Sequence, residues 1–145
     1  MQVEKPLANS NGLCYFCIKD KMTEIQKTVM IVEDEVEAAE LFAEMMRIIG
    51  FRVIKMYSSV PAIPMLSKEK PDVVILDIMM PDISGLEVLR YMKREAELAA
   101  IPVVIISAKS MPGDIKAGLD AGASIYLTKP VSFNDLKQAV ESVLP

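Results

Sequence analysis

The stretch VVILDIMMPDISG, Val73 to Gly85, decides how the rest of the chain is read. It begins as an unbroken apolar run, meets a carboxylate at Asp77, and breaks into a Pro-Asp-Ile-Ser-Gly loop. A run that is apolar at every position, not at alternate ones, reads as a strand covered on both faces, as in the middle of a parallel sheet. In open sheets of that kind, ligands bind outside the carboxyl ends of the strands, where the strand order reverses. Asp77 closes its strand at such an end. Burying a carboxylate there without a partner is strongly unfavourable, so the position implies either a partner or a task.

Working outward, four more runs rich in Val and Ile read as strands: TVMIV (Thr28–Val32), RVIKM (Arg52–Met56), PVVII (Pro102–Ile106) and SIYLT (Ser124–Thr128), with the central one taken as DVVIL (Asp72–Leu76). Helical periodicity fills the gaps. Ala38, Leu41, Phe42, Met45 and Ile49 fall on one face of a first helix, and Phe133, Leu136, Val140 and Val143 on one face of a last. The repeat is strand then helix, five times, which predicts a doubly wound α/β fold with a five-stranded parallel sheet, (βα)5. Two helices are compromised. Pro61 and Pro64 predict a short or irregular second helix near 62 to 69, with Pro61 at its first position. Gly113 and Gly118 weaken the fourth, which Pro112 is expected to start.

Composition bounds what such a fold does. With 145 residues, 52% of them hydrophobic, the chain suits one domain with a sizeable core. The net charge of −4 argues against a partner as acidic as nucleic acid. No apolar run approaches the length of a membrane span, so a soluble, cytoplasmic protein is expected. The sequence has no histidine, which excludes His-based metal sites and Ser-His-Asp triads on this chain. Residues 1–27 are polar and aperiodic and read as a flexible extension, with Met22 as an alternative start. The only cysteines, Cys14 and Cys17, lie in it; reduced thiols are the expectation, with zinc shared across a dimer as the alternative.

At the expected strand ends stand Glu33 and Asp34 after the first strand, Asp77 after the third, Ser107 after the fourth, and Lys129-Pro130 after the fifth. Taken singly, each has a plain reading. Glu33, Asp34 and Glu35 suit the N-terminus of the helix they precede, Ser107 suits a loop, and Lys129 suits solvent. Taken together, three carboxylates converge. Two of them about 4 Å apart repel by about 4 kcal/mol at an effective dielectric of about 20, so a cation is needed. All-oxygen donors suit Mg²⁺.

The segments MIVEDE, KPDVVILDIMMPDISGLEVL, IPVVIISA and AGASIYLTKP, in this order and spacing, resemble the receiver domain of bacterial two-component response regulators over about residues 28 to 144. The resemblance implies a flavodoxin-like receiver fold over residues 28–145 with strand order 2-1-3-4-5. It also implies that Asp77 accepts a phosphoryl group and that Asp34 binds Mg²⁺ directly, Glu33 through water, and the Met79 backbone carbonyl as a further ligand. By the same resemblance Lys129 and Ser107 contact the phosphoryl oxygens, the Lys129–Pro130 bond is cis, and Tyr126, 19 residues beyond Ser107, is a switch residue coupled to helix four, strand five and helix five. The implied donor is a sensor histidine kinase or histidine phosphotransfer protein, for which the first helix is the usual docking face; its acids Glu37, Glu40 and Glu44 sit beside the apolar stripe and read most economically as a solvated face. The implied output is a protein target, with the chain a stand-alone or excised receiver, monomeric or a weak dimer, and not an enzyme. The alternatives are a Mg²⁺-dependent aspartyl-phosphate phosphatase or phosphotransferase, disfavoured because Met79 stands where such enzymes carry a second acid, and an interaction module independent of phosphorylation.

Overall fold

The computed structural model describes residues 25–145. Cys14, Cys17 and the rest of the extension before residue 25 lie outside them. The chain forms β1 (Thr28–Val32), α1 (Val36–Ile49), β2 (Arg52–Met56), α2 (Ser59–Glu69), β3 (Val73–Leu76), α3 (Gly85–Arg94), β4 (Val103–Ser107), α4 (Pro112–Asp120), β5 (Ile125–Thr128) and α5 (Phe133–Val143). All strand pairs are parallel, and the sheet runs β2-β1-β3-β4-β5. The predicted order and alternation are those observed.

Unbroken hydrophobicity does mark the central strands. β3 and β4 are buried at every position, and β1 from Val29 on, whereas the edge strands β2 and β5 are only partly covered. Side chains alternate between two layers. Met30, Val32, Val74, Leu76 and Ile105 face α2 and α3, while Val29, Ile31, Val73, Ile75 and Ile106 face α1 and α5. Each fully buried aliphatic side chain contributes about 1.5–3 kcal/mol, so these two layers hold the sheet between its helices.

Three helix expectations need correction. The stripe on α1 is rotated: Ala39, Phe42, Ala43 and Met46 are buried, and Leu41 is 54% exposed. Leu41 and Ile48 point away from the sheet, and the smaller alanines take the close contact instead. Helix α2 is longer than expected. It starts at Ser59, so Pro61 is its third residue, where the backbone N–H has no intrahelical partner to lose; Pro64 lies within the helix. Glu40 is not a free acid, because it accepts from Lys55 Nζ (2.5 Å) and from the Tyr57 hydroxyl (2.9 Å) on the β2 side.

At the amino ends of the strands, a cleft of about 490 Å³ is lined by Ile25, Gln26, Lys27, Ile49, Gly50, Phe51 and Glu141. No helix among the described residues is long and apolar enough to cross a membrane.

Candidate functional site

The site is an extension of the sheet's own hydrogen bonding. Past the ends of the strands, Glu33 N–H donates to Met56 O (2.9 Å), Asp77 N–H to Val32 O (3.0 Å) and Lys129 N–H to Ser107 O (2.9 Å). The ladder therefore fixes the backbones of Glu33, Asp77, Ser107 and Lys129 at one rim. Carboxylate oxygens of Glu33, Asp34 and Asp77 all come within 4.8 Å of one another. Lys129 Nζ donates to Glu33 Oε1 (2.5 Å) and to Asp77 Oδ2 (3.0 Å). The Lys129–Pro130 peptide is cis.

Burial grades the group. Glu33, Asp77 and Ser107 are buried, while Asp34 and Lys129 are half-exposed. Burial pushes the Glu33 carboxyl up to about 7, and the neighbouring Asp77 carboxyl acts in the same direction. Burial alone would lower Lys129, but its bonds to Glu33 and Asp77 hold it above its ordinary value. Lys129 is thus a firmly held cation between two acids. Glu35, the residue at the N-cap of α1, makes no side-chain cap bond. The capping reading of that acidic run is not realised at Glu35.

Do these residues suit a divalent metal? Glu33 Oε2 is buried and has no hydrogen-bond partner among the described residues. One lysine faces three carboxylates, and every donor is a hard oxygen, which is what Mg²⁺ prefers. The residues fit such an ion. Beside them lies an open depression of about 450 Å³ lined by Asp34, Ile78, Met79, Met80, Pro81, Ser84 and Lys109.

The loop after Asp77 is held by contacts that sequence reasoning missed. Asp77 Oδ1 accepts from Met79 N–H (3.0 Å). Asp82 accepts from the backbone N–H groups of Ser59 (3.3 Å) and Val60 (2.9 Å), and the Ser59 hydroxyl donates to Ile83 O (2.7 Å). The β3–α3 loop is thereby pinned to the start of α2, whose own N-cap residue, Ser58, makes no side-chain cap bond. Gly85 is required for a different reason: a Cβ there would lie 2.1 Å from the Asp77 carbonyl oxygen. Ser84, by contrast, is a local cap that accepts from Leu86 N–H (3.3 Å).

Ser107 Oγ accepts from Lys109 N–H (3.2 Å). Tyr126 is the half-buried strand residue with a bonded hydroxyl that its pattern suggests, donating to Lys109 O (2.7 Å).

A parallel sheet with this strand order and an acid-and-lysine rim defines a class, and the chain belongs to it: residues 29–141 match the response regulator receiver domain family. Members of that family act in two-component signalling, between histidine kinases and downstream targets. Among similar proteins is the polar-differentiation response regulator DivK of Brucella ovis, 34% identical over 118 residues, 81% of this chain and 96% of that protein. Among solved structures, a putative response regulator from Chloroflexus aurantiacus superposes with a TM-score of 0.79 at 27% identity, covering 82% of this chain and 98% of the other. The receiver domain of a histidine kinase from Syntrophus aciditrophicus does so at 0.76 with 30% identity, covering 81% and 89%.

Proposed function

We propose that this receiver, residues 28–145 behind an N-terminal extension, takes a phosphoryl group onto Asp77 from a phosphohistidine on a sensor kinase or histidine phosphotransfer protein. The observation that carries the reading is Lys129 Nζ bridging Asp77 and Glu33 at the strand rim, with Asp34 alongside. An Asp77 carboxylate oxygen attacks phosphorus, the P–N bond to the donor histidine breaks, and that nitrogen keeps the electron pair and is protonated. The product is an acyl phosphate, which water later hydrolyses. Phosphoryl transfer asks for an in-line nucleophile and positive charge around the equatorial oxygens. Asp34, Asp77 and the Met79 carbonyl, with Glu33 through water, would hold Mg²⁺, which would supply part of that charge. Lys129 supplies the rest and shifts its bond from Asp77 to a phosphoryl oxygen, with the Ser107 hydroxyl donating to another. Tyr126 carries the change to the surface of α4, β5 and α5.

On this reading the chain is a signalling acceptor rather than a turnover enzyme, working in the cytoplasm as a monomer or weak dimer, with a protein as its target and no direct contact with nucleic acid. Incubation with Mg²⁺ and acetyl phosphate, followed by intact mass, is the test. One added phosphoryl group is expected on the native chain and none on Asp77→Asn, which is nearly isosteric and lacks the nucleophile. Uptake by the variant at the native rate would overturn the assignment. Continuous turnover of the donor without a phosphorylated species would favour a phosphatase, and inertness of the native chain an interaction module.

A further inference from the structure

Helix α4 holds two glycines with opposite surroundings. A Cβ at Gly113 would meet nothing within 4 Å. A Cβ at Gly118 would lie 2.7 Å from Tyr126 Cδ2, 3.0 Å from Tyr126 Cε2 and 3.0 Å from Ile105 Cδ1. Gly118 is also the one fully buried residue of α4. A glycine inside a helix lowers its stability relative to alanine, so helix formation alone gives no reason for one here. The space left by its missing side chain is taken up by the Tyr126 ring.

We propose that Gly118 is the positioning residue for Tyr126: the absent side chain is the seat of the ring, and the seat is what keeps the hydroxyl on the Lys109 carbonyl. The consequence reaches the strand rim through a single residue. Tyr126 Oη–H donates to Lys109 O, Lys109 N–H donates to Ser107 Oγ, and Ser107 O accepts from Lys129 N–H. A ring lifted from its seat loses its hold on Lys109, and Lys109 is the residue that contacts the Ser107 hydroxyl. The significance for signalling rests on the receiver reading above; the seat itself is a property of the chain before any phosphorylation. Real Cβ atoms do not approach carbon as closely as 2.7 Å, so an alanine at 118 forces a response. Ile105 Cδ1 is the end of a flexible chain and can give way, but the tyrosine ring moves only as a whole, by rotation about χ1 or by displacement of α4.

The test uses the unphosphorylated full chain and three substitutions. Gly113→Ala should raise the urea midpoint and leave the Tyr126 ring resonances and the Lys109 amide resonance in place, because it improves the helix and touches nothing. Gly118→Ala should lower the midpoint and move both sets of resonances. In a Tyr126→Ala background, Gly118→Ala should instead raise the midpoint, as Gly113→Ala does, since the ring it would strike is gone. If Gly118→Ala does not fold by itself, recovery of folding in the Tyr126→Ala background supports the seat, and failure to recover overturns it. The proposal is also overturned if Gly118→Ala leaves the Tyr126 and Lys109 resonances where Gly113→Ala leaves them, or if its penalty persists without the ring. Phosphate uptake at Asp77 is not part of the readout, so a negative result here leaves the receiver reading untouched.

Discussion

At the scale of single residues, the rim is a balance between three acids and one base, and the acids are not equivalent. Asp34 is half-exposed, whereas Glu33 is buried with one oxygen on Lys129 and the other without a partner among the described residues. Direct ligation should matter more than a contact through water. Asp34→Ala is therefore expected to weaken Mg²⁺ binding by about 10-fold or more, and Glu33→Ala by less. Calorimetric titration with Mg²⁺ checks this, and equal affinity in the native chain and both variants would remove the metal from the site. Most of this group was legible in the sequence, because each member follows directly on a strand whose apolar run announces it. Gly85 and Gly118 were not legible in the same way. Their reasons are a carbonyl eight residues back and a ring on another element, and neither contact leaves a periodicity to read.

At the scale of elements, α2 depends on a cap from outside itself. Asp82, 22 residues beyond Val60, accepts from the first N–H groups of the helix, and it simultaneously anchors the loop that carries Met79. The Val60 N–H above all, opposed by some desolvation and helped by the N–H groups of Ile83 and Ser59, holds the Asp82 carboxyl below its ordinary value of 3.8. A depressed acid stabilises the fold above its unfolded value, and that contribution is lost as pH falls through the folded one. Asp82→Ala should thus lower the melting temperature at neutral pH, with the gap from the native chain narrowing as pH drops below about 3.8. Thermal melts of both proteins across that range decide it; a gap that stays constant with pH would mean the carboxylate is not the cap. The sequence placed the start of α2 three residues late because two prolines looked like an obstacle. Pro61 is tolerated in the first turn, and the cap that makes the earlier start possible is a tertiary contact.

At the scale of the whole molecule, the sheet separates two apolar layers that share strands but not side chains. Ile105 faces one layer and Ile31 the other, on strands separated by β3. Each Ile→Val change should cost about 0.5–1.5 kcal/mol. Two strand spacings place these side chains about 10 Å apart, so their effects should add to within about 0.5 kcal/mol in urea denaturation. A larger coupling would mean that the strands transmit packing changes between the layers. The same parallel arrangement sends every carboxyl end to the rim of Asp77 and every amino end to the opposite one, where Ile25, Gln26 and Lys27 share a cleft with Glu141 of α5. The two ends of the described chain are therefore near neighbours, and a short linker between them would let the polypeptide be reopened at the exposed turn Glu95–Glu97 without crossing the sheet. Such a circular permutant would begin its chain between α3 and β4, turning a late-synthesised edge of the receiver into its leading segment while the acidic rim kept the same neighbours.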